Sequence, residues 1–239
     1  MSTPVVDAEA LKEFFEKAVP QFPSGFLATV SKRLEERTRV VRTQQLAWPQ
    51  LWDLAPVSRR IHSHERKIWE PRLEPLMAAI EFGHVGELFG ELERWPDRPQ
   101  WLVDWATYWL HLGHPEHLWW ARWVYRADNR TGSLLLILDD PEQMVADDSL
   151  SQQYQKILDA VRFLESVLSL THPLDDVEDV YRTQVALATV YAVYMFTMAA
   201  WKMTEEFTQV LPSFPVVIKN LLGVTRWEGK YVGTEGQTN

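Results

Sequence analysis

The chain has 239 residues, 46% of them hydrophobic and 24% charged, with no cysteine and a net charge of −9. That composition excludes extended disorder, a disulfide framework and any thiolate chemistry, and it supplies apolar side chains for one large core or two small ones. The charge is polarised: residues 131–239 hold 7 basic and 15 acidic groups, whereas Lys32 to Lys67 holds nine basic against four acidic.

Leu11, Phe14, Phe15 and Ala18 recur at helical spacing behind Asp7, which predicts a capped amphipathic helix ending by Pro20. The first residues become charged within a dozen positions and lack the apolar core of a secretory signal, so a cytoplasmic chain is expected. A second helix is expected from Gly25 to Leu46, with Leu27, Val30, Leu34 and Val41 inward and the arginines outward. Val57, Ile61, His64 and Ile68 mark a third, stopped by Pro71. From Leu73 to Leu92 the helical period returns, weakened by Gly83, Gly86 and Gly90.

Gln100–Leu112 and Glu116–Arg126 read as a helical hairpin turned by Gly-His-Pro. Ala127–Gly132 is a polar hinge, which divides the chain into an aromatic- and histidine-rich part (1–130) and an acidic part (131–222). These are two domains or one continuous one. Ser133–Leu138 fits a strand or a buried turn equally, since periodicity does not separate them in so short a run. A long amphipathic helix follows through Tyr154, Ile157, Val161, Leu164 and Leu168. The next, about 176–210, carries no charge between Arg182 and Lys202 and reads as a buried central helix, with a membrane span as the lesser reading. The tail from Gly223 (223–239) is expected to be loosely ordered. Together these elements predict an all-α bundle of seven to nine helices.

Functional signals are sparse. The sequence holds no GxxxxGK[ST], GxGxxG or GxSxG pattern. Ten of the 12 tryptophans fall between Trp48 and Trp123. On a helix, Trp119 and Trp120 point about 100° apart, so Trp119, Trp120 and Trp123 predict an aromatic surface for a protein partner or self-association. The main reading is therefore a non-catalytic intracellular adaptor with no cofactor.

Two alternatives stand beside it. Lys32, Arg33, Arg37, Arg39, Arg42, Arg59 and Arg60 form a cationic run suited to nucleic-acid phosphates, or to a solvated helix face. Glu81 and His84, a Glu-x-x-His pair, with His64 as third ligand, are candidates for a divalent metal in a helical enzyme. Asp175, Asp176 and Asp179 fit a DDxxD string of the kind that holds magnesium-diphosphate in helical isoprenoid synthases, and equally a helix start rich in carboxylates.

Overall fold

The computed structural model describes residues 4–57, 61–144, 149–202 and 212–231, the side chains of residues 201 and 202 excepted. The described residues form nine α-helices and short 3₁₀ turns, and no β-strand. The helices are α1 (Ala8–Ala18), α2 (Phe26–Thr43), α3 (Trp48–Leu54), α4 (Ser63–Glu81), α5 (Val85–Glu93), α6 (Gln100–Gly113), α7 (Leu150–Thr171), α8 (Asp179–Lys202) and α9 (Phe214–Leu221). The chain divides into two units, each built from three separate segments.

The first unit comprises 1–31, 122–146 and 156–222. Asp7 caps α1, its carboxylate accepting from the backbone N–H of Glu9 and Ala10 at 2.9 and 3.0 Å. Leu11, Phe15 and Ala18 then turn inward, and α1 packs against α8. Every residue of α8 from Thr183 to Val190 is buried, so protein covers this stretch on all sides, its polar Thr183, Gln184 and Thr189 included. Asp179–Ala200 is long and apolar enough to cross a membrane, but 61% of its most apolar window is buried inside the protein. Helix α9 packs on it as well. Residues 203–210 of the expected 176–210 helix lie outside the described residues. Leu134–Leu136 is a 3₁₀ turn, and Val6 forms an isolated antiparallel bridge with Leu138. The ambiguous run is thus a buried turn. The hinge Ala127–Gly132 lies within this unit.

The second unit comprises 32–121, 147–155 and 223–239. Helix α4 corrects the sequence reading, because it runs through Pro71 and Pro75. Both prolines are exposed and four residues apart, so the carbonyls they leave unbonded face water. An interior proline costs about 3 kcal/mol, while burying Trp69, Leu73, Leu76 and Ile80 returns about 1.5–3 kcal/mol each. Packing wins. The helix ends instead at Gly83, whose φ of +70° reverses the chain before α5.

Glu116–Arg126 is the second correction. Helix α6 is followed by turns and extended backbone, and the second helical arm does not form. Leu118, Trp119, Trp120 and Ala121 are all buried, and the groups packed on them come from α6 and α7. Side chains take over the backbone bonding. His111 Nδ1 meets the His117 carbonyl at 2.8 Å, the Tyr154 hydroxyl donates to Leu118 O at 2.8 Å, and Trp120 N–H donates to Thr107 Oγ1 at 3.1 Å.

The segment from Gly223 is the third. Residues 223–231 are ordered around a 3₁₀ turn, Val224–Arg226, and Trp227 is fully buried. Residues 232–239 lie outside the described residues.

Candidate interaction surface

The tryptophans come first, because the sequence placed the partner surface on them. In the second unit they form an unbroken run of rings. Trp69 sits 5.7 Å from Trp95 and 5.9 Å from Trp101, and Trp101 is 5.9 Å from Trp52. Trp52 lies 5.3 Å from Trp105, which contacts Trp109 at 6.4 Å, and Trp109 meets Trp227 at 6.2 Å. These are ordinary distances for offset and edge-on aromatic packing. Some indole N–H groups find acceptors, Trp52 donating to Glu70 at 2.7 Å and Trp119 to the Asp104 carboxylate at 2.8 Å, whereas the equally buried Trp105 and Trp109 have no partner at Nε1 and are held by ring packing.

The exposed-anchor expectation is therefore corrected. Trp119 and Trp120 are buried, and Trp123, whose ring lies 6.3 Å from that of Tyr191 in the first unit, is half-buried. None of the tryptophans whose side chains are described is exposed. The 100° argument fails with its premise, since residues 116–126 are not helical.

The cationic run is largely consumed by the fold. Arg37 is 1% exposed and lies over the Tyr108 ring at 5.6 Å, which overturns the expectation that it faces outward. Arg33 pairs with Glu36 at 2.8 Å, and Arg42 donates to Gly113 O at 2.8 Å. Lys32 and Arg39 are exposed, and Arg59 and Arg60 lie outside the described residues.

The metal candidates are not assembled. His64 is exposed near the start of α4 and stacks on His62. Seventeen residues of the same helix separate it from Glu81, a rise of about 25 Å. The Glu-x-x-His spacing does not lie on one helical face, because Gly83 breaks the helix, and His84 turns to Glu87 at 3.2 Å. Among the described residues no three His, Asp or Glu side chains gather as a metal would require.

In the acidic string, α8 begins at Asp179, so Asp175 and Asp176 precede it in a turn instead of lining one helical face. Asp175 faces His172 at 3.2 Å and Asp179 faces Arg182 at 2.9 Å. Asp176 is exposed.

The second unit also holds a buried polar cluster along α6: Asp104, Thr107, Tyr108 and His111. Burial, and then the nearby Arg37 cation, push the His111 imidazole down to about 4. Its Nδ1 meets the His117 carbonyl, while Nε2 has no hydrogen-bond partner. A neutral ring with Nδ1–H donating satisfies this geometry. Burial likewise raises the Tyr108 hydroxyl, which accepts from the Trp227 indole at 2.8 Å.

Sequence reasoning missed a different surface. In the first unit α1 with the turn after it, and the end of α7 with Pro173, line an open groove of about 550 Å³. Ala8, Leu11, Phe15 and Val19 line one side, Thr171 and Pro173 the other, and Lys12 and Glu16 stand among the lining residues one turn apart. Val19 is 52% exposed, and Leu170, adjacent to Thr171, is 79% exposed. The available signal was Leu170 itself, a leucine outside the buried stripe of α7. No protein family, curated protein or solved structure matches the chain.

Proposed function

We propose that the chain is a non-catalytic, intracellular helical interaction protein that takes an amphipathic helix of a protein partner into the α1–α7 groove. The observation that carries this reading is the apolar groove, with the highly exposed aliphatic side chain of Val19 in its lining. Apolar surface gathered at a groove marks a place of association more than scattered exposure does. The occupant's shape follows from the lining. Ala8, Leu11, Phe15 and Val19 lie along one line of α1 covering about 16 Å, or three helical turns. A helix laid beside them presents i, i+3 or i+4, and i+7 anchors in register. Lys12 and Glu16 at the groove offer one charge of each sign, which orients a partner carrying the complementary pair.

The test is capture of a partner from the source cells by the full chain, compared with Ala8→Asp and Val19→Asp, both exposed lining residues. A single partner, retained by the wild type and reduced at least tenfold by either change, is the expected result. Substituting the exposed cations, Lys32→Glu with Arg39→Glu, should leave that retention intact. Retention lost with the cations and kept with the groove variants would sink the groove reading in favour of the phosphate-binding one.

A further inference from the structure

Helix α4 buries one apolar row and displays another. Trp69, Leu73, Leu76 and Ile80 are buried, at intervals of four, three and four residues. On the opposite side Ile68, Pro71, Pro75, Ala78 and the capping Phe82 are all exposed, at intervals of three, four, three and four. Ile68 is 56% exposed and Phe82 66%. Alternating threes and fours make the 3.5-residue repeat by which one helix keeps a seam against another. The large side chains stand at the two ends of the seam, and the small ones between them let a facing backbone come close.

We propose that α4 is the seam of a homodimer, crossing its own copy antiparallel about a two-fold axis beside Glu74. Charge complementarity chooses this occupant and this direction. Lys67 and Glu81 lie on the same flank of the seam, 14 residues and about 21 Å apart. Both are exposed, and neither side chain has an ion pair among the described residues. An antiparallel two-fold sets Lys67 of each copy opposite Glu81 of the other, so the pair forms twice. A parallel crossing would instead bring Lys67 beside Arg72 of the second copy, which lies on the other flank over the Trp69 ring. Glu74 faces its own copy near the axis, the one like-charge contact on this flank. The occupant is protein and not lipid. The carbonyls of Lys67 and Pro71 have a proline four residues on and need another donor, and a helix–helix rim admits water to them where hydrocarbon does not. This inference belongs to the second unit and is independent of the groove in the first.

The test is sedimentation of the full chain over a concentration series, where a reversible dimer is expected. Ile68→Asp with Phe82→Asp should weaken it at least tenfold and leave the thermal melt unchanged, since both side chains are exposed. Lys67→Glu and Glu81→Lys should each weaken it at least threefold, by setting like charges opposite one another. The two exchanges together should restore the wild-type affinity, and Glu74→Gln should tighten the dimer. A chain that stays monomeric up to about 0.1 mM would overturn the seam. So would a dimer indifferent to the two aspartates, or a double exchange as weak as the single ones. Should the aspartates unfold the chain, the charge exchange decides alone. Capture of the monomer by phosphatidylcholine vesicles, lost with the same aspartates, would also overturn the proposal, because the stripe would then face lipid.

Discussion

The tryptophan-rich second unit and the groove of the first invert a common expectation about aromatic and aliphatic residues. Where the sequence is richest in indoles, the rings face inward and meet one another or a carboxylate. Where it looks ordinary, Val19 faces solvent at a groove and Leu170 faces solvent near the end of α7. An indole brings its own hydrogen-bond donor, so a core containing Glu70, Asp104 or Tyr108 can absorb it fully. Tryptophan abundance here measures packing volume. Exposure is reported by single aliphatic residues at helix ends.

The sharpest way to break this contrast is Trp119→Ala. If the indole is core, the change costs about 3–5 kcal/mol by urea unfolding, through a large cavity and the lost bond to Asp104. A cost below about 1 kcal/mol would return Trp119 to the surface.

Next in size is the acid response of the second unit. With His111 held at about 4 against an ordinary 6.5, the native chain binds fewer protons than the unfolded one between those values. Stability is full above pH 6.5 and falls on acidification, by about 3 kcal/mol at pH 4. His111→Asn retains a donor for the His117 carbonyl and should flatten that acid limb in unfolding curves at pH 7, 5.5 and 4. An unchanged limb would assign the response to other groups.

Two smaller effects sharpen the first unit's side. Asp179→Asn weakens a helix-start charge and its contact with Arg182, for about 0.3–1 kcal/mol, and should leave metal titrations unaffected. Leu170→Ser should move stability by less than about 0.5 kcal/mol. A larger loss by thermal or urea unfolding would mean that Leu170 is packed and not displayed.

Much of the fold was legible because it rests on local periodicity. The cap at Asp7, the stripe from Tyr154 to Leu168 and the uncharged run of α8 each declare a helix in a dozen residues or more. Two errors share one cause, tertiary packing overriding a local rule. Pro71 and Pro75 looked like breakers until the burial of Trp69, Leu73, Leu76 and Ile80 was weighed against them. Residues 116–126 looked helical until side chains of α6 and α7 proved to bond the backbone of 117–120.

The candidate site was less legible. The groove joins α1 to residues more than 150 positions away, and no periodicity encodes that pairing. Trp227 escaped for the same reason: a glycine-rich flank signals looseness, and its acceptor lies 119 residues earlier.

The interleaving of the two units has a practical consequence for anyone who cuts or truncates this chain. It passes from one unit to the other after Ser31, Ala121 and Leu222, among other places, and the first of these lies inside α2. No single protease nick liberates an intact unit by itself, and any contiguous fragment that contains one complete also carries most of the other. Splitting at residue 121 strands α1 with a core that belongs elsewhere and leaves Trp227 without Tyr108. Functional dissection of this protein therefore belongs to point substitutions in the whole chain, because a deletion series would report broken cores in place of missing sites.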